Sequence, residues 1–179
     1  MSTDHPTSGD QTHETSGSLE RIFAEQQAPL TRYAARLLRD PDRARDVVQD
    51  AFVKFMAQPA AGVDGHAVEW LFAVCRNRAL DVLRKEHRMR RFEEGEMERT
   101  SGADPRPGRA LEAAETHASV LQLIDRLPPN QQEVVRLKFQ NGFSYKEIAR
   151  ITELSVTNVG FLIHTAVTHL RREFAAERP

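Results

Sequence analysis

Trp70, Asn77, Arg84 and Arg88 recur at helical spacings that place an aromatic ring, an amide and two guanidinium groups along one face. Aromatic surfaces stack unpaired bases while arginines follow phosphate, which is the chemistry of holding a separated DNA strand. A second constellation closes the chain. Ser144 with Glu147 forms a capping box for a short helix, Ser155 caps a longer one, and Ala149 and Val159 supply the small and apolar contacts that a helix-turn-helix needs where its helices approach. The last helix is expected to bury Val159, Ile163, Ala166, Leu170 and Phe174. Phe161, Thr165, Thr168 and Arg172 then face outward, with Asn158 and Leu162 flanking. That face is predicted to enter the major groove. Asn158, His164, Thr165 and Thr168 offer hydrogen bonds to base edges, Ser144, Tyr145, Lys146, Arg171 and Arg172 suit the phosphate backbone, and Ser155 and Thr157 complete the DNA-facing set. An apolar Phe161-Leu162 pair on the same face would suit a protein partner equally.

These residues require helices to position them, and the sequence marks several. Residues 1–18 hold no large apolar residue beyond the initiator and read as a disordered tail. Leu19, Ile22, Phe23, Leu30, Tyr33, Ala34, Leu37 and Leu38 pattern a first helix, with a break or kink expected at Pro29. Asp40 followed by Pro41 and Asp42 is a helix start, after which Ala44, Val47, Val48, Ala51, Phe52, Phe55 and Met56 repeat at three and four. Asp46, Gln49, Asp50 and Val53 fall on the opposite, exposed side. Residues 59–66 form a loop by their Pro and Gly content. A third helix from Ala67 turns Val68, Leu71, Phe72, Cys75, Ala79, Val82 and Leu83 inward. Val120, Leu121, Ile124 and Leu127 pattern a further helix ended by Pro128-Pro129, and Val134, Val135, Leu137 and Phe139 the next. The fold class is all-α: two small helical domains, 19–91 and 111–179, joined by a flexible acidic linker over 92–110.

Charge supports that division. The chain of 179 residues has a formal net charge of −1. Residues 71–91 carry seven Lys/Arg, including Arg76 and Lys85, against Asp81 and Glu86, whereas residues 92–116 carry seven acids against three arginines. A near-neutral total therefore hides a basic stripe of +5 beside an acidic segment of −4. The lone Cys75 excludes an intramolecular disulfide and the seven histidines lack ligand spacing, so neither a metal nor a cofactor is expected. No phosphate loop or nucleophile motif is present, and the chain is not expected to be an enzyme. Without a signal segment or an apolar span, a cytoplasmic location and no membrane partner are expected.

At this point the motifs resemble those of a known family. DRARDVVQDAFVKF at 42–55 is similar to the bacterial sigma-70 region-two helix that docks on the clamp of core RNA polymerase. WLFAVCRNRALDVLRK at 70–85 is similar to the adjoining helix that helps melt the minus-ten promoter element, and LPPNQQEVVRLKFQNGFSYKEIA at 127–149 to the start of region four, whose helix-turn-helix reads the minus-35 element. The order and spacing resemble the extracytoplasmic-function (ECF) class. The resemblance implies a sigma factor that binds core RNA polymerase, directs it to promoter DNA and helps open that DNA, with an anti-sigma protein as a further candidate partner. It places Asp46, Gln49, Asp50 and Val53 against polymerase. It places Asp64, His66, Trp70, Arg76, Asn77, Arg84, Lys85 and Arg88 near minus-ten DNA, with the 59–66 loop forming a pocket for a flipped base. The chain departs from the family at Arg43 and Arg45, where acids are common, along a last helix poor in basic residues, and at Glu153, where a glycine is common.

Overall fold

The structure is a computed structural model that describes residues 10–57, 65–93 and 112–176. Seven helices appear among them: α1 (Asp10–Leu38), α2 (Pro41–Met56), α3 (Ala67–Glu93), α4 (Glu112–Asp125), α5 (Pro129–Phe139), α6 (Tyr145–Thr152) and α7 (Val156–Ala176). They cluster into two units, Met1–Glu94 and Gly95–Pro179.

In the first unit α1, α2 and α3 all pack against one another. Its core is aromatic and aliphatic: Leu30, Leu71 and Phe72 are fully buried, and the Tyr33 and Phe72 rings meet at 5.2 Å between centroids. Burying side chains of this size stabilises by about 1.5–3 kcal/mol each, which is what holds a three-helix unit against its ordering entropy. The α1-α2 corner is sharp. Arg39 adopts a left-handed φ of 55° and its amide donates to Ala35 O at 2.8 Å, ending α1. Asp40 Oδ1 then accepts from the amides of Asp42 and Arg43 at 3.0 and 3.1 Å, so the expected cap opens α2.

Several expectations need correction. The backbone of residues 10–18, read as tail, belongs to α1. The helix also runs through Pro29 without a break, held by the burial of Leu30, Tyr33 and Ala34 immediately beyond it. Met56 at the end of α2 and Phe139 at the end of α5 are exposed rather than inward, each lying in the last turn, beyond the residues its helix buries. Residues 59–64, with the predicted base pocket and Asp64, and the linker from residue 94 to 110 lie outside the described residues.

Cys75 is buried in α3, and burial pushes its thiol up to about 12. The unfolded thiol ionises near 9, so its neutral form favours the fold fully below pH 9, and that contribution is lost as pH rises from 9 toward 12. Disulfide-exchange labelling at pH 8 is therefore expected to require opening of the fold and to run far below the free-thiol rate. Native-state labelling as fast as that of the denatured chain would contradict the burial.

In the second unit α4, α5 and α6 pack on α7. Ile124, Leu127, Val135 and Ala166 form a core cluster with Val120, Leu121 and Leu170 packed against it. A polar cluster joins α4 to α5: the buried Arg136 guanidinium pairs with the exposed Asp125, while Gln132 Nε2 donates to the carbonyls of Asp125 and Leu127 at 2.9 and 2.7 Å. Those bonds satisfy the carbonyls left open where α4 ends.

Candidate functional site

On α2, Asp46, Gln49, Asp50 and Val53 are all exposed and stand at i, i+3, i+4 and i+7, one continuous strip. Ion pairs surround the strip. Arg78 Nε of α3 donates to Asp50 Oδ2 at 3.1 Å, Arg45 pairs with Asp42, and Arg43 pairs with Asp40 at 3.3 Å and with Glu86 of α3. The two arginines that depart from the family pattern are thus engaged within the chain. Beside the strip, Phe23, Gln27 and Thr31 of α1 and Arg45, Val48, Gln49, Phe52, Val53 and Met56 of α2 line a groove of about 460 Å³. Its floor is aromatic, with Phe23 and Phe52 rings 4.6 Å apart.

On α3, Asn77, Arg84, Lys85 and Arg88 are exposed, and Arg84 Nη1 lies 2.9 Å from Asp81 on the same helix. Arg76 is half-buried. Trp70 is corrected from fully outward to half-buried, because its ring packs 5.8 Å from that of Phe55 on α2. His66 stands in the turn before α3 with Nδ1 3.5 Å from the buried Glu69 carboxylate. The stripe therefore begins with a ring anchored in the core and continues as an open basic surface.

In the second unit the helix-turn-helix is built as the sequence predicts. Ser144 and Glu147 form the reciprocal capping box, and Ser155 Oγ accepts from the Asn158 amide at 3.1 Å. Ala149 and Val159 are both buried where α6 meets α7. Glu153 takes a left-handed φ of 59° in the turn, the conformation that favours the missing glycine. Tyr145 lies over Gly160, and Lys138 Nζ sits 5.6 Å from its ring centroid. Ser144, Tyr145, Lys146, Ser155, Thr157, Asn158, Phe161, His164, Thr168, Arg171 and Arg172 are exposed, and Thr165 is half-buried. Leu162 is the correction here: it is 7% exposed and belongs to the core, whereas Phe161 is 65% exposed. Leu162 stands three residues after Val159 and four before Ala166, both buried, so it joins the inner face of α7 on which the other helices of the unit pack.

Sequence profiles of two regions of one family match this arrangement. The profile described as Sigma-70 region 2 matches residues 22–89, the first unit, and that described as Sigma-70, region 4 matches residues 117–170, the second. The chain belongs to the sigma-70 family, in its ECF class. It is 29% identical over 150 residues to the ECF RNA polymerase sigma factor EcfG of Rhodopseudomonas palustris (strain TIE-1), covering 79% of this chain and 76% of that one. It is 27% identical over 157 residues to the ECF RNA polymerase sigma factor SigL of Mycobacterium tuberculosis, covering 86% of each. The fold is similar to that of the sigma factor RpoE from Bartonella quintana, solved in complex with the anti-sigma factor NepR, with a TM-score of 0.68 at 22% identity over 90% of this chain and 99% of that one. Sigma factors are non-catalytic subunits of RNA polymerase, and this sigma factor acts in transcription initiation. A conventional helix-turn-helix regulator gives no account of the match over residues 22–89. Among the described residues no helix is long and apolar enough to cross a membrane.

Proposed function

We propose that this sigma factor binds core RNA polymerase through the Asp46, Gln49, Asp50 and Val53 strip of α2, holds the opened minus-ten strand along α3, and reads upstream duplex DNA with α7. The observation that carries the reading is the packing of α2 on α3, with the Arg78-Asp50 and Arg43-Glu86 pairs joining them. A polymerase surface seated on α2 and a DNA strand lying on Asn77, Arg84, Lys85 and Arg88 are then held on adjacent helices, so docking delivers the strand-binding surface to the start site. The groove beside α2 gives an apolar side chain of the polymerase a place to enter, which adds buried area to a charged contact. The promoter supplies phosphate to the basic stripe and bases to Trp70, whose core contact with Phe55 fixes its ring in place. An anti-sigma protein is included among the partners, on the example of the relative from Bartonella quintana.

Strand holding is tested on promoter complexes of the holoenzyme by permanganate oxidation of unpaired thymines. Arg84→Ala/Arg88→Ala is expected to lower that reactivity roughly tenfold at low salt, and by a smaller factor as salt is raised, because the variant has lost two phosphate contacts and its binding falls less steeply with salt than that of the wild type. Reactivity equal to wild type at every salt concentration would remove α3 from the strand-binding role.

A further inference from the structure

We infer that Phe161 reads a thymine through its 5-methyl group in the major groove, making the sequence preference of α7 partly apolar. The inference rests on the reading of α7 as the helix that enters the groove. Phe161 is the only large apolar side chain exposed in the run from Thr157 to Arg172, and it stands within it one turn beyond Thr157 and one turn before Thr165. Its neighbours on that face, Asn158, His164, Thr165 and Thr168, all carry hydrogen-bonding groups. The N-terminal part of the recognition helix is where side chains reach base edges in this motif, and Phe161 is the sixth residue of α7. Of the four base pairs only those with thymine present a methyl group there, and an apolar side chain is its complement.

The burial of Leu162 decides between this and a protein-docking face. With Leu162 in the core, the apolar pair expected on this face of α7 is reduced to the single Phe161 ring, set among side chains that hydrogen-bond. One ring is sufficient for one methyl. Glycine at 160 contributes as well: Tyr145 lies over it, so the residue preceding Phe161 presents no side chain to compete for the same base.

The test uses holoenzyme formed from core RNA polymerase and the full chain, with upstream duplexes selected from a randomised library by the wild type. Each thymine of the selected site is replaced singly by deoxyuridine, which removes only the methyl. Burying one methyl is worth about a fourfold change in affinity. Wild-type holoenzyme is expected to lose on the order of three- to tenfold at one or two adjacent thymines. Phe161→Ala is expected to bind the thymine duplex more weakly by the same factor and to show no further loss with deoxyuridine, while Phe161→Leu keeps part of the sensitivity. Because Phe161 is exposed, the Ala variant should melt with the wild type, which separates lost contact from lost fold. A deoxyuridine effect that is unchanged in Phe161→Ala overturns the inference, as does a Phe161→Ala defect in a protein complex with none on DNA. Holoenzyme without any upstream sequence preference overturns the groove-entering role of α7 itself, and this inference with it.

Discussion

Replacing both carboxylates of the α2 strip, Asp46→Arg/Asp50→Arg, is expected to weaken the complex with core RNA polymerase by at least about a hundredfold, since desolvated charge pairs across an interface are coupled by roughly 1.5–7 kcal/mol each. The substitution is informative because both residues are exposed and contribute little to the fold. Asp50 does lose Arg78 as a partner, and two guanidinium groups are brought together in its place. For a pair open to solvent that costs about 1 kcal/mol or less, well within what the buried helices tolerate. Titration of labelled core polymerase with each variant, alongside circular dichroism of the free chain, measures both effects. Affinity within twofold of wild type would show that polymerase docks elsewhere. The double variant also separates docking from DNA contact, because Arg84, Lys85 and Arg88 on α3 are untouched.

A second large effect is expected from Phe72→Ala in the core of the first unit. Phe72 is fully buried with the Tyr33 ring against it, and removing such a ring costs about 3–5 kcal/mol through lost burial and the cavity left behind. A unit of this size has a total stability of the same order, roughly 0.05–0.15 kcal/mol per residue. The first unit should therefore be largely unfolded or melt far below its wild-type temperature. Trp70 is the single tryptophan and belongs to that unit, so its fluorescence reports this transition alone. The second unit, whose core shares no residue with the first, should keep its own transition by circular dichroism. A Trp70 transition that stays at the wild-type temperature would contradict the packing described, and loss of both transitions together would contradict two separately folding units.

Much of this was legible in the sequence because the signals are local. The Asp40 cap, the Ser144-Glu147 box and the three-four repeat of α2 each lie within one or two helical turns, and each is found where the residues place it. The strip of Asp46, Gln49, Asp50 and Val53 was readable for the same reason: the apolar side of α2 defines its exposed side. What was not legible depends on partners distant in the chain. Nothing in the local pattern around Val134, Val135 and Leu137 singles out Arg136, yet it pairs with Asp125 and is only 5% exposed. Leu162 lies at the margin of an ideal apolar stripe, and its 7% exposure is set by how the other helices of the unit pack on α7. Trp70 shows the converse. Its spacing with Asn77 and Arg84 is that of an outer face, but Phe55 from α2 covers part of the ring. No local signal reports that Asp50 is paired with Arg78, twenty-eight positions away.

The most direct measurement mixes core RNA polymerase and the purified chain with a library of promoter-like duplexes and maps the start sites of the RNA made. Wild-type chain should yield transcripts that begin at defined positions and share upstream sequence, and Asp46→Arg/Asp50→Arg should abolish them. Absence of start-site-specific RNA with the wild type, from core polymerase that initiates correctly with another sigma factor, would contradict promoter-directed initiation by this chain.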